Sequence, residues 1–172
     1  DAPVGMAYYD ETFLPAQYRG NLLLARWAQR KVSRHSLRPR GASFVCDEQP
    51  LLEGTGSARP LGVCVGRGGR IFATIGYMPN LEGSPRYRSD LVMITRADDA
   101  PAHPFESYDA ATASDEKLWA ELSQPSWHQR QQAHLELLRR GNPMLQQAVK
   151  RLASVRSGDP AVEHLIWLAA AS

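Results

Sequence analysis

The sequence lacks the features that would most directly assign it to a functional class. It contains no apolar run close to the roughly 18 residues that would span a bilayer. Its formal net charge of +2 is too small to indicate nucleic acid as a partner. No Ser-His-Asp, Cys-His, P-loop or Rossmann pattern stands in a context where it could act. The sequence therefore predicts neither a transmembrane segment nor a catalytic residue within this chain.

Cysteine is also scarce. The two cysteines, Cys46 and Cys64, form neither a CxxC pair nor a CxxCH haem-attachment site. Cys64 stands between Val63 and Val65, where a small buried thiol would fit, so two core cysteines are the favoured interpretation. A Cys46–Cys64 disulfide remains the alternative, and cysteine usage leaves the redox compartment open.

What the sequence does contain is an internal repeat. The opening Pro3-Val4-Gly5 recurs 57 residues later as Pro60-Leu61-Gly62. Residues 20–25 and 69–74 then form the second strand of each copy, and residues 32–37 and 90–95 form the third. Residues 43–46 add a fourth strand between the copies, and the glycines of 66–69 supply a hairpin turn. Antiparallel meanders repeated at this period are typical of β-propeller blades.

The repeat supplies about two blades, whereas a closed propeller needs at least roughly four. Together with a first residue, Asp1, that is not Met, this predicts an incomplete propeller cut from a longer protein. A small self-contained β-sandwich is the alternative. Two insertions interrupt the meanders, at residues 11–19 and 78–89, and such loops carry either ligand contacts or plain surface.

A change of period near residue 100 predicts a second domain. Residues 98–113, rich in Asp, Ala and Pro, read as a linker, which is favoured over a metal site made of Asp98, Asp99, His103 and Glu106. The predicted fold is therefore α+β in segregated halves. Its domains are β-propeller blades over residues 1–97, the linker, and helical repeats over 114–172.

Four helices are predicted after the linker. Ser114 caps the first, the second runs from Trp127 to Arg140, and the third and fourth follow Asn142-Pro143 and Asp159-Pro160. The expected core stripes are Leu145, Ala148, Val149 and Leu152 on the third helix, and Val162, Leu165, Ile166 and Ala169 on the fourth.

Prolines that open helices recur at Pro125 and Pro160, which predicts a HEAT-type α-solenoid, with TPR as the rival. Trp119, Trp127 and Trp167 are expected to pack between helices. His128, His134 and His164 do not have the i, i+4 spacing of two metal ligands, so no metal site is predicted.

Three stretches together resemble a known family: PVGMAYYDETFLPAQYRGNLLLARW, KVSRHSL and RPLGVCVGRGGRIFATIG. They are similar to the last blades of the PQQ-dependent glucose/sorbosone dehydrogenase family of six-bladed propellers. The likeness is greatest to bacterial membrane-bound dehydrogenases in which HEAT-like repeats follow the propeller. It covers residues 2–97, and PSWHQRQQAHLELLRRG separately resembles the HEAT consensus at Pro125, Arg130, Ala133 and Leu137.

The resemblance implies a cofactor, PQQ with Ca²⁺, bound in the full-length parent. Arg59 resembles one of the arginines that contact the quinone, and the family's lysine aligns at Ala28, followed closely by Arg30 and Lys31. The family's catalytic histidine and calcium ligands belong to earlier blades, so this chain by itself is expected to be inactive and to bind no cofactor.

The implied function is that of a quinoprotein-like sugar dehydrogenase in the periplasm or cell envelope, which oxidises a sugar hydroxyl by hydride transfer to the quinone. The alternative is a propeller and HEAT scaffold without catalysis, which holds a protein partner on its helices.

Overall fold

The computed structural model describes residues 3–77, 88–98 and 109–172 of the chain. The chain divides into two compact units, Asp1–His103 and Pro104–Ser172, and each has its own buried hydrophobic residues. The described residues form antiparallel sheets in the first unit and helices in the second, the mixed α+β composition that the sequence predicts.

The N-terminal unit consists of two antiparallel meanders. The first sheet has the order β1-β2-β3-β4 and the second has the order β5-β6-β7. Their strands are β1 (Gly5–Tyr9), β2 (Asn21–Arg26), β3 (Lys31–Arg40), β4 (Ser43–Glu53), β5 (Ala58–Val65), β6 (Ile71–Tyr77) and β7 (Arg88–Ile94). Although β4 lies at the far edge of its sheet, the chain passes from it to β5, which packs against β1 and β2.

The core of this unit lies between the two sheets. Tyr9 and Leu23 of the first sheet are fully buried against Ile71 of the second. A second cluster joins Val32 to Ala73 and Ile75. On β1, β2 and the first part of β6 the buried residues alternate with more accessible ones, so the period of two creates the buried face there. On β3, Ser33 beside Val32 is buried as well.

The insertion at residues 11–19 is held down by Tyr9. The Tyr9 hydroxyl donates to the carbonyl oxygen of Gly69 at 2.9 Å and accepts from the Leu14 amide at 3.0 Å. Leu14 is buried in the same cluster, with Phe13 and Tyr18 packed against it. The hydroxyl therefore links the end of β1, the insertion and the turn that begins the β6 strand.

Both cysteines are free and exposed, which corrects the core interpretation. Val63 and Val65 point into the core, so Cys64 between them must point to the opposite face. Cys46 pairs with Leu37 in the end of the β3–β4 hairpin that extends beyond β2. The fourth strand is also longer than predicted, because it continues to Glu53.

The third strands of the two copies, β3 and β7, both begin earlier than the predicted residues 32–37 and 90–95. Leu23 pairs with Arg34 in the first sheet, while Phe72 pairs with Met93 in the second. Arg34 and Met93 therefore occupy corresponding places beside the second strands of the two sheets. Most of the predicted loop at 78–89, and most of the predicted linker at 98–113, lies outside the described residues.

The C-terminal unit contains α1 (Asp115–Glu121), α2 (Trp127–Arg140), α3 (Asn142–Leu152) and α4 (Ala161–Ala170). Ser114 and Ser126 cap the first two helices by accepting from the amides of Lys117 and Gln129. Gly141, with φ of +80°, separates α2 from α3. None of the helices that the structure describes has the length and apolar character needed to cross a bilayer.

The helical core includes Leu118, Leu122, Leu137 and Leu168, and three expectations about it are wrong. On α3, Leu145 and Ala148 are buried as expected, whereas the expected core residue Val149 is half exposed. On α4 the buried positions are Ala161, His164, Leu165 and Leu168, whereas the expected core residue Ile166 is half exposed. Of the three tryptophans, Trp119 is buried but Trp127 and Trp167 are exposed. Because α4 is apolar around most of its circumference, its composition did not indicate which side would be buried.

Candidate functional site

Arg59, the first predicted cofactor residue, is attached to the turn between β2 and β3. Its guanidinium carbon lies 4.4 Å from the centroid of the Trp27 ring, within the range of a cation–π contact. Its Nη1 also donates to the Trp27 carbonyl oxygen at 3.1 Å. Arg59 therefore joins the first strand of the second sheet to a turn of the first sheet.

Arg30, the second predicted residue, belongs to the same turn. It adopts a φ of +56°, and its amide donates to the Trp27 carbonyl that Arg59 also contacts. Its carbonyl accepts from the Gly54 amide at 2.7 Å, and its Nη1 donates to the Gly56 carbonyl at 3.0 Å. The structure thus brings Arg30 and Arg59 to one end of the unit, where Arg30 fastens the β4–β5 connection.

Lys31, the third predicted residue, is part of a charge cluster on β3 and β4. Its Nζ lies 2.5 Å from Glu48, which also pairs with Arg26 at 2.5 Å. The hydrogen bond from Lys31, followed by the charges of Arg26 and Lys31, lowers the pKa of the Glu48 carboxyl. The Lys31 ammonium group is therefore engaged in an ion pair with Glu48.

A cavity of about 180 Å³ adjoins this end of the unit. Its lining includes Arg30 and Glu53 together with the apolar side chains of Val32, Leu52, Ile75 and Val92. Pockets that enclose a drug-sized ligand usually measure about 300–1,000 Å³. The cavity is accordingly smaller than a multi-ring cofactor needs, although it has one guanidinium at its edge.

The described residues do not by themselves fit PQQ and calcium. Each of the three cations contacts a carbonyl or a carboxylate of this chain, and the adjoining cavity is small. Within the described ranges, no group of three or more His, Cys, Asp or Glu side chains converges to hold a metal ion. These residues alone therefore support no reaction step through a quinone.

Sequence reasoning missed a nucleophile–base contact on β3. Ser33 Oγ lies 2.9 Å from His35 Nε2, and His35 stands opposite Glu48 across the β3–β4 ladder. Burial is the main cause that lowers the pKa of His35, and Glu48 opposes it. The Ser-x-His spacing was the available signal, since residues i and i+2 share a face. Because Ser33 has no exposed surface, a substrate carbonyl could not reach its hydroxyl.

In the helical unit, two of the three histidines meet. The rings of His134 on α2 and His164 on α4 lie 5.3 Å apart between centroids. Burial lowers the pKa of both, that of His164 to about 4, with His134 and Arg130 as further causes. His164 is buried and His134 is half-buried, and their surroundings oppose protonation of both rings.

No protein-family model matches the sequence, and no curated protein matches it. A solved structure named "glucose dehydrogenase" is similar to this chain at 26% sequence identity, with a TM-score of 0.40. The match covers 54% of this chain and 25% of that chain, so this chain spans about a quarter of the length of that protein. The activity in that name belongs to the matched protein.

Proposed function

We propose that this chain is a structural segment of a sugar-dehydrogenase-like oxidoreductase of the quinoprotein type. Its sheets would form part of a β-propeller in the parent protein, and its helices would begin a HEAT-like array. The Arg30–Arg59 end would form one wall of the cofactor region, with the remaining groups supplied from elsewhere in the parent. On this proposal the parent acts in the periplasm or cell envelope.

The observation that carries the proposal is the set of sequence motifs over residues 2–97, combined with the path of the strands. The outer strand β4 leads into β5, which packs beside the edge strand β1 of the preceding sheet. Successive meanders that follow one another in this way are the building pattern of propellers. The glycines of the two P-x-G openings correspond in strand pairing, because Gly5 pairs with Ala25 and Gly62 pairs with Thr74, the counterpart of Ala25 in the repeat.

The helical unit supports the HEAT part of the proposal through the residues of its consensus. Arg130 is buried and donates to the carbonyl oxygens of Gln124 and Pro125 at 2.8 and 2.9 Å. Ala133 and Leu137 are fully buried. Arg130 thus fastens the turn that precedes its own helix, which is a reason for an arginine at this position.

A second candidate function is a scaffold without catalysis that binds a protein partner through its helices. The specific observation in its favour is that Arg59, Arg30 and Lys31 are all engaged inside the chain. A propeller that no longer binds a cofactor could retain these residues for their structural contacts alone.

The test uses the full-length parent, purified and reconstituted with PQQ and Ca²⁺. The dehydrogenase proposal predicts a change in the quinone absorption spectrum and reduction of an electron-acceptor dye when aldoses are added. Arg59→Lys, which keeps the charge but loses the planar fork, should weaken PQQ binding, while Arg38→Lys on the exposed hairpin should not. An unchanged spectrum together with no turnover would reject the dehydrogenase proposal and favour the scaffold.

A further inference from the structure

A second cavity of the N-terminal unit lies beside the insertion at residues 11–19. Its volume is about 450 Å³, which falls within the range of about 300–1,000 Å³ that ligand pockets usually have. The insertion leads into the start of β2, whereas the turn that carries Arg30 follows the end of β2. The insertion and the Arg30–Arg59 end therefore lie at opposite ends of this strand. We call this cavity the insertion cavity.

The floor of the insertion cavity is apolar and continues the core between the two sheets. Leu14 of the insertion is buried, and Leu51 of β4 and Ile94 of β7 pack against the same cluster. Because these side chains lie between the two sheets of this chain, further sheets of the parent would pack elsewhere, on the outer faces. The floor offers apolar surface on which the C–H face of a ligand can be buried.

The rim of the insertion cavity is polar, and its charges balance. Arg96 and Asp98 pair with each other through two hydrogen bonds, one of them from Arg96 Nε to Asp98 Oδ1 at 2.7 Å. The hydrogen bond from Arg96 lowers the pKa of the Asp98 carboxyl, so this group is an anion at neutral pH. The other polar side chains that line the cavity, within the described part of the chain, are uncharged. The rim therefore favours a neutral ligand over an anion or a cation.

Two of these uncharged side chains, Gln17 and Tyr18, are held in place while their polar ends stay available. The Gln17 carbonyl accepts from Arg34 Nη1 at 2.7 Å and from Asn21 Nδ2 at 3.1 Å. The Arg34 guanidinium carbon also lies 4.7 Å from the centroid of the Tyr18 ring. Among the described residues, neither the Gln17 side-chain amide nor the Tyr18 hydroxyl has a hydrogen-bond partner. Each group can both donate and accept, as the hydroxyl groups of a ligand require.

We propose that the insertion cavity binds a neutral saccharide of one or two rings, at a site separate from the Arg30–Arg59 end. The C–H face of a sugar ring would lie on the apolar floor, and its hydroxyl groups would meet Gln17, Tyr18 and Asp98. A carboxylate and an amide each carry two polar atoms, which suits two neighbouring hydroxyl groups of a sugar. The inference uses only side chains of this chain, so the presence or absence of dehydrogenase activity in the parent does not bear on it.

The experiment is an NMR titration of the 172-residue chain with D-glucose and with maltose, followed through the backbone amide signals. Saturable shifts should be concentrated at residues 14–18 and 94–98. Gluconate and glucosamine, which carry one negative and one positive charge, should bind at least about tenfold more weakly, because the rim has no unbalanced charge to offset their desolvation. Glycerol, which has hydroxyl groups but no ring, should give no saturable shift.

A double variant tests the two side chains directly. Gln17→Leu combined with Tyr18→Phe keeps the size of both side chains but removes their hydrogen bonds to the sugar, so it should weaken binding at least about tenfold. The matched control, Gln131→Leu combined with Tyr8→Phe, changes the same residue types outside the cavity and should bind like the wild type. The proposal is overturned if neither sugar gives saturable shifts at residues 14–18 and 94–98, if the charged compounds bind as tightly, or if the double variant binds like the wild type.

Discussion

Gly5, the glycine of the first P-x-G opening, lies directly against the backbone of Gly62, the glycine of the second opening, in the neighbouring sheet. A β-carbon added to Gly5 would lie 2.9 Å from the α-carbon of Gly62 and 3.1 Å from the amide nitrogen of Val63. Both of these are backbone atoms, which cannot rotate away. A glycine at this point of the repeat is therefore required by the approach of two strands from different sheets.

The first prediction is that Gly5→Ala destabilises the N-terminal unit by about 1–3 kcal/mol, the usual cost of overpacking. The matched control is Gly62→Ala, whose β-carbon would meet only the Thr74 hydroxyl, at 3.1 Å, a side chain that can move. Urea unfolding followed by circular dichroism gives both free energies. Equal losses for the two variants would contradict the proposed close contact.

The second prediction concerns the hydroxyl of Tyr9. Tyr9→Phe leaves the buried Gly69 carbonyl and the Leu14 amide without this partner, so it should cost about 1–3 kcal/mol in the free energy of unfolding. Tyr8→Phe, at an exposed neighbouring position, is the control and should cost little. Urea unfolding of both variants makes the comparison, and equal losses would show that the two hydrogen bonds contribute little.

The same hydroxyl predicts a loss of stability in alkali. Burial raises the pKa of Tyr9 to about 12 from an ordinary value of 10.0. The folded chain therefore holds this proton more tightly than the unfolded chain. The resulting stability is complete below pH 10.0 and is lost as the pH rises through about 12. Between pH 10.0 and about 12, the free energy of unfolding should fall more steeply with pH for the wild type than for Tyr9→Phe. Equal slopes for the two proteins would contradict the prediction.

The third prediction is acid sensitivity of the helical unit through His164. Its pKa, lowered by burial to about 4 from 6.5, means that the folded state favours the neutral imidazole. This contribution is complete above pH 6.5 and is lost as the pH falls through about 4. His164→Phe should keep its helical signal to lower pH than the wild type, whereas His128→Gln should follow the wild type. Acid titration by circular dichroism makes the comparison.

The fourth prediction ranks two neighbouring arginines on α2. Arg140 pairs with Asp115 and with Glu136, and it donates to the Ala113 carbonyl at 2.7 Å. Arg139 is 67% exposed and pairs with Glu136 within its own helix. Arg140→Gln should therefore lower the unfolding midpoint of the helical unit more than Arg139→Gln, and added salt should reduce the difference. A larger effect at Arg139 would show that the link to α1 contributes little.

The sequence predicted which arginines belong to the candidate site, but it did not predict the contacts that these arginines make. The motif comparison selected Arg59 and Arg30, and the structure does bring them to one turn. Their bonds to the carbonyls of Trp27 and Gly56 could not be foreseen, because these contacts cross between segments far apart in sequence. The His134–His164 contact was invisible for the same reason, since it joins two helices.

The sequence by itself determined the local elements: a period of two made strands, a period of 3.6 made helices, and Ser114 and Ser126 set where two helices begin. These are interactions within a few residues. Only the tertiary structure decided which face of each element is buried. It turned Cys64 outward between two buried valines, and it left Ile166 exposed beside the buried Leu165. When both sides of a strand or helix are apolar, the choice depends on which neighbour packs against it, and the local pattern does not specify that neighbour.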